Sequence, residues 1–239
     1  LKSLFFRVVT LMRITHGFHP LKQPHAVTIG NFDGLHVGHQ AMLARLQQVA
    51  RERGLPSCVL SFEPHPREFF APEKAPARLS SLREKAGWLD HLGIDRLHVF
   101  RFNRAFAALT ASEFIQRILV DTLLARYVLV GDDFRYGAQR AGDFALLVES
   151  GRAAGFDAEA LSTVALDGER ASSTAVRAAL AAGDLAHAAR LLGRPYSICG
   201  RVMHGDKLGR ELGYPTANVQ IQHNRPPLSG IFAVTVSNI

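Results

Sequence analysis

His36 and His39 stand three residues apart in "GNFDGLHVGHQ", with Gly38 between them, directly after the apolar run "HAVTIG". Side chains three apart on the first turn of a helix share a face and can reach one ligand together. Gly38 removes a side chain where a phosphate has to approach the backbone. A glycine-rich turn that opens into a helix also offers free N–H groups and the positive end of a dipole. The chemistry these residues suit is phosphate binding, with Gly30, Phe32 and Asp33 in the turn itself. A chain of this composition would contain H-x-G-H by accident about 0.04 times. The plainer alternative is a pair of surface histidines at a helix start.

Three further clusters follow apolar runs or open a helix. "EPHP" comes after the run ending at Phe62 and carries His65; "DDFRYG" comes after Gly131 and carries Asp132, Asp133, Phe134 and Tyr136. In an open parallel sheet, ligands bind beyond the carboxyl ends of the strands, where these motifs fall. Each has a bland reading, as a loop shaped by prolines or an Asp turn. "RASSTAVR" (170–177) offers Ser172, Ser173 and Thr174 as helix caps. With Arg170, and Arg177 one turn later, the same segment has the chemistry of a polyphosphate clamp.

The elements that must position these groups are legible as alternating β-rich runs and helical patterns. Strands are expected over 26–30, 57–62, 96–100, 126–131 and 158–164. Met42, Leu43, Leu46, Val49 and Ala50 recur at helical spacing. "SSLREKAGWLDHLG" and "TASEFIQRILVDTL" read as further helices, the second capped by Thr110 or Ser112 with Glu113 behind it. "AVRAALAAGDLAHAARLLG" reads as two short helices broken at Gly183-Asp184. From Tyr196 the pattern turns to strands and glycine turns, the start of an antiparallel barrel or sandwich, with "YSICGRVM" and "GIFAVTV" as strands. The expected organisation is a first domain over 12–185, a linker over 186–195 and a second domain from 196 to 239. That last piece, about 45 residues, is small for a barrel and reads as cut short.

Composition bounds the function. The 239 residues are 47% hydrophobic with no run long enough to span a membrane. Two cysteines far apart, Cys58 and Cys199, suggest neither a disulfide framework nor a zinc site, and the cytoplasm is the expected compartment. The opening "LKSLFFRVVTLMR" lacks a small-residue cleavage site, so Met12 is read as the natural start and residues 1–11 as upstream frame. The net charge is +7, but the arginines are scattered rather than striped, which argues against a nucleic-acid partner. A positive field that attracts polyanionic small molecules is the milder reading.

"GNFDGLHVGH", "SFEPHP", "GDDFRYG" and "SSTAVR", in that order, resemble the adenylyltransferase domain of the bacterial bifunctional riboflavin kinase/FAD synthetase family. The tail "GRVMHGDKLGRELGYPTAN" resembles the opening of that family's kinase domain. The resemblance implies a Rossmann-like nucleotidyltransferase domain followed by the start of an antiparallel β-barrel. It implies adenylyl transfer from ATP to FMN, giving FAD and pyrophosphate. By the same analogy His36, His39, Ser173, Thr174 and Arg177 hold the triphosphate, and Arg170 and His65 support them. Asp133 lies near nucleotide or flavin where some relatives carry Asn, and Phe62, Phe134 and Tyr136 are candidates to face the flavin ring, with core packing as the alternative. Mg²⁺ is expected to arrive with ATP, since no dedicated carboxylate cage is evident. Thr216 and Asn218 in "PTAN" match residues that serve Mg²⁺ and phosphates in the kinase. The family's catalytic glutamate would fall past Ile239, so riboflavin phosphorylation is expected of the full-length protein and not of these residues alone. The competing readings are an H-x-G-H enzyme for another phosphate, a non-catalytic flavin or nucleotide sensor, and an RNA-binding module resting on charge.

Overall fold

In the computed structural model, which describes residues 11–166, 168–203, 213–214, 216–221 and 225–236, six strands form one parallel sheet. They are β1 (Arg13–His16), β2 (His25–Ile29), β3 (Ser57–Glu63), β4 (Arg96–Arg101), β5 (Ala125–Gly131) and β6 (Asp157–Leu161), in the spatial order β1-β4-β3-β2-β5-β6. All five residues of β2 are buried, as are the first five of β3 and of β4. Continuous burial is what a parallel strand covered on both faces requires, and it explains the unbroken apolar runs. The chain builds outward from β2 through β3 and β4, then returns to the other side of β2 with β5. That reversal beside β2 is a topological switch point.

By its internal contacts the chain forms two compact units. One takes residues up to Phe32 with His39–Ala75 and Ala86–Thr163; the other takes Asp33–Gly38, Pro76–Lys85 and residues from Val164 on.

The first unit holds the sheet. Helix α1 (Val37–Glu52) buries Leu43, Leu46, Val49 and Ala50. His65 caps the short α2 (Pro66–Phe70), and α3 (Leu82–His91) precedes β4. After α4 (Arg104–Ala107), Thr110 and Glu113 close a capping box on α5 (Ala111–Glu113). That helix continues as a wider coil over Phe114–Thr122, where Leu123 N–H donates to the Ile118 carbonyl five residues back at 2.9 Å. Asp143 caps α6 (Phe144–Ala154). The core gathers Val27, Leu60, Phe100, Phe106, Ile118, Leu119, Val128 and Leu147. Two buried histidines brace it. His98 lies between the Thr15 hydroxyl and the Gly17 carbonyl, at 2.9 and 2.8 Å, and Arg96 Nε donates to His25 Nε2 at 3.0 Å. Burial pushes both imidazoles down to about 4, so each is neutral at pH 7.

In the second unit, β7 (Ala165–Leu166) pairs antiparallel with β8 (Glu169–Arg170), ahead of α7 (Ser173–Ala181) and α8 (Leu185–Leu192). Val176, Ala179, Leu180, Ala188, Leu191 and Leu192 bury together with Leu79 and Ala171. Residues 186–192, read from the sequence as the start of a linker, therefore belong to α8. Its apolar residues recur at helical spacing and pack on α7.

An antiparallel pair follows, β9 (Arg201–Met203) with β10 (Asn218–Gln220). The expected strand in "GIFAVTV" does not form: residues 231–236 are irregular, and Ile231, Val234 and Val236 are exposed. Among the described residues that run has no ladder partner. Cys58 is buried in β3 and Cys199 is exposed, and both are free thiols. No helix among the described residues is long and apolar enough to cross a membrane.

Candidate active site

β2 runs straight into the motif loop, and Gly30 N–H extends the ladder with a 3.0 Å bond to the Leu60 carbonyl. The loop is wound tightly. Gly34 has φ +78°, and Phe32 and Leu35, both almost fully buried, also take the left-handed conformation at +49° and +46°. A bulky residue there is strained and persists only when its surroundings hold it. Phe32 is held by its buried ring, which lies 5.0 Å from the His39 ring near the start of α1.

In the second unit Asp33 is the centre of the loop's hydrogen bonds. Its carboxylate accepts from Leu79 N–H at 3.1 Å, from Ser80 N–H at 3.0 Å and from the Ser80 hydroxyl at 3.2 Å. Arg177 completes the set: Nη2 donates to Asp33 at 2.5 Å, and Nε to the Ala77 carbonyl at 2.6 Å. Both members of this ion pair are largely buried. Ser172 caps α7 by accepting from Ala175 N–H, while the Ser173 hydroxyl donates to the Asp33 carbonyl at 2.9 Å. Thr174 and Arg170 are exposed.

His36 is buried in the same unit, and burial drives its imidazole down to about 4 against the opposing pull of Asp33. The ring is neutral at pH 7 and donates through one nitrogen only. A Cβ on Gly38 would stand 3.2 Å from both the Ala171 carbonyl and the His36 ring, so glycine leaves room that alanine would fill.

The residues expected to face flavin belong to the first unit. Phe62 packs edge-on against Phe102 and Phe106, with centroids 5.9 and 5.5 Å away, inside a larger aromatic cluster. Phe134 stacks on Tyr136 at 5.5 Å and 17°. The Tyr136 hydroxyl is buried without a hydrogen-bond partner among the described residues, and burial raises it to about 12. Asp133 is exposed beyond β5. His65 uses Nδ1 to accept from Arg67 N–H at 3.0 Å, which makes it a helix cap as well as a site candidate. Thr216 and Asn218 are exposed, the latter opening β10.

Reasoning from sequence missed Ser80, Ala77 and Arg194, whose side chain also reaches the loop. A signal existed for the segment around Ser80. "SSLRE" carries the S-x-x-E spacing of a capping box, and Ser81 N–H and hydroxyl both donate to Glu84 at 2.7 Å.

A parallel sheet with a switch point, an H-x-G-H turn after the central strand and a hydroxyl-capped helix define a nucleotidyltransferase of the Rossmann-like class. Comparison narrows this. Residues 19–175 match the FAD synthetase family and residues 192–238 the riboflavin kinase family. The chain belongs to the family of bifunctional riboflavin kinases/FMN adenylyltransferases. It is 54% identical to such a protein from Pseudomonas fluorescens over 94% of this chain and 73% of that one. With the Escherichia coli protein the figure is 51% over the same shares. A solved structure from Streptococcus pneumoniae, described as a macrolide-efflux protein, superposes with TM-score 0.74 at 27% identity, over 87% of this chain and 69% of that one.

Proposed function

We propose that this protein transfers the adenylyl group of ATP to FMN, releasing pyrophosphate and forming FAD. The observation that carries this is the 54% identity, over nearly the whole chain, to an enzyme named for that transfer. In this reading a phosphate oxygen of FMN attacks the α-phosphorus of ATP, and the bond to the β-phosphate oxygen breaks as pyrophosphate leaves. No covalent protein intermediate is required, so positioning and charge neutralisation supply the rate.

His36 and His39 donate hydrogen bonds to phosphate oxygens. The pKa of His36 favours its doing so as neutral imidazole. Ser173, Thr174, Arg177 and Arg170 bind the triphosphate with Gly30, Phe32, Asp33 and Gly38 shaping the turn. Asp33 acts through Arg177, since a carboxylate facing phosphate would repel it. Phe62, His65, Asp133, Phe134 and Tyr136 are assigned to flavin.

Mg²⁺ would neutralise phosphate charge. In this reading the ion is delivered with ATP, whose phosphate oxygens are its natural ligands. Thr216 and Asn218 bring neutral oxygen donors that suit Mg²⁺ with a nucleotide in the kinase portion. We assign residues 12–185 to adenylyl transfer and 196–239 to the riboflavin kinase portion, with 186–195, most of which lie in α8, between them. The cytoplasm is the proposed location, and small molecules rather than nucleic acid are the proposed partners.

The test is to incubate the protein with ATP, Mg²⁺ and either FMN or riboflavin, following FAD and pyrophosphate. FAD from FMN is expected. Pyrophosphate release that ignores FMN would point instead to another phosphate acceptor.

A further inference from the structure

The match to FAD synthetases ends at residue 175, and Arg194 lies inside the stretch that matches riboflavin kinases. Its position is set by the end of α8. Gly193 turns the chain at φ +68°, and Arg194 N–H closes on the Ala189 carbonyl at 3.1 Å. The half-buried guanidinium then returns to the motif loop. Nη2 donates to the Gly34 carbonyl at 2.8 Å, and Nη1 donates to the carbonyls of Leu35 at 3.2 Å and Leu192 at 3.1 Å.

Gly34 and Leu35 are left-handed residues of that loop, and Leu35 immediately precedes His36. A left-handed turn points carbonyls away from any regular ladder, so they need donors from elsewhere. A planar, permanently charged fork can serve two adjacent carbonyls at once, which an ammonium group does poorly. Arg177 holds the loop through Asp33, and Arg194 holds the next two residues through their carbonyls.

We infer that Arg194 is a positioning residue for ATP binding, fixing the backbone that carries His36. The adenylyl-transfer site then depends on a residue from the stretch that resembles the kinase. This rests on the reading of the H-x-G-H loop as the triphosphate site, and the test separates the two.

The experiment measures the ATP dissociation constant by titration calorimetry, and KM for ATP and FMN in FAD formation, for wild type, Arg194→Ala, Arg194→Lys and the control Arg53→Ala. Arg53 pairs with Asp157 at the surface of the first unit. Thermal melts confirm that each variant is folded at the assay temperature. Arg194→Ala is expected to weaken ATP about tenfold, as loss of charge-assisted hydrogen bonds does. Arg194→Lys should weaken it less, while KM for FMN and the control stay near wild type. A role confined to stability would lower the amount of active enzyme and leave the ATP constants unmoved. ATP binding within twofold of wild type in a folded Arg194 variant overturns the inference. If Arg194→Ala does not fold, Arg194→Lys decides by the same criterion. Failure of both to fold would make Arg194 a structural residue and also overturn it. A wild-type protein that binds ATP yet makes no FAD would sink the proposed reaction, while the Arg194 comparison would still be read from ATP binding.

Discussion

The motif loop and the aromatic cluster beyond β3 and β5 are held together by opposite means. Around Asp33 nearly every contact is a directed hydrogen bond, one of them within a buried ion pair. Around Phe62 and Phe134 the contacts are ring on ring. Directed bonds fix atoms within tenths of an ångström and fail sharply when one partner goes. Apolar contacts depend on area and tolerate change of shape. The first kind of support suits the grip on phosphate proposed for the loop. The second suits the flat ring proposed for the aromatic surface.

The largest effect expected from breaking this contrast comes at Asp33. Asp33→Asn leaves a buried Arg177 without its counter-charge and weakens the bonds to Leu79 and Ser80. Loss of about 3–5 kcal/mol is expected, the usual cost of orphaning a buried charge, and chemical denaturation would measure it. The same geometry implies that Arg177→Lys also lowers stability. Lysine cannot satisfy both Asp33 and the Ala77 carbonyl with a planar fork.

His39→Ala should come next. FAD formation is expected to fall about 10²–10³-fold, equivalent to about 3–4 kcal/mol, with the thermal midpoint little changed. Near-normal turnover would remove His39 from the assignment.

A pH-graded effect, comparable for each histidine to the losses above, sharpens the contrast from the side of burial. His25, His36 and His98 each have a folded pKa near 4, below the ordinary 6.5. The unfolded chain therefore binds protons that the folded one refuses. Their contribution is fully present above pH 6.5, declines as pH falls toward 4, and levels off below it. Each histidine adds about 1.4 kcal/mol per pH unit to the slope within that window. The stability read from urea unfolding should fall accordingly from pH 7 to pH 4, and His98→Gln should remove part of that fall.

The least effect is expected on the aromatic side. Phe134→Ala loses one stacked contact with Tyr136, worth about 0.5–1.5 kcal/mol beyond its area. KM for FMN should rise severalfold while KM for ATP holds. An unchanged KM for FMN would return Phe134 to core packing.

Legibility in the sequence follows the range of the forces involved. Strands β2 to β5 were readable within a residue or two because burial on both faces makes each a local apolar run. β1 was not, since "RITH" is a largely exposed edge strand that exists by pairing with β4, more than eighty residues away in number. The Thr110 and Glu113 box was readable, but the wide coil after it was not, because no residue type marks that winding. His36, Gly38 and His39 stood out by spacing. Asp33 stood out as a turn residue, yet its carboxylate is occupied by Leu79, Ser80 and Arg177, partners that no local pattern announces. Arg194 reaches Leu35 across 159 positions and was invisible for the same reason.

The unequal fates of the two cysteines have a practical consequence. Cys58 is sealed in β3, and its thiol is pushed up to about 12, so it is inert to alkylating reagents. Cys199 is exposed, five residues beyond Arg194, and its own thiol is raised by partial burial and by Glu84, which also accepts from its backbone N–H at 2.7 Å. A maleimide dye added in mild alkali would therefore mark the native chain at one position. It would sit beside the segment that braces the loop, a built-in fluorescent test of the ATP site proposed there.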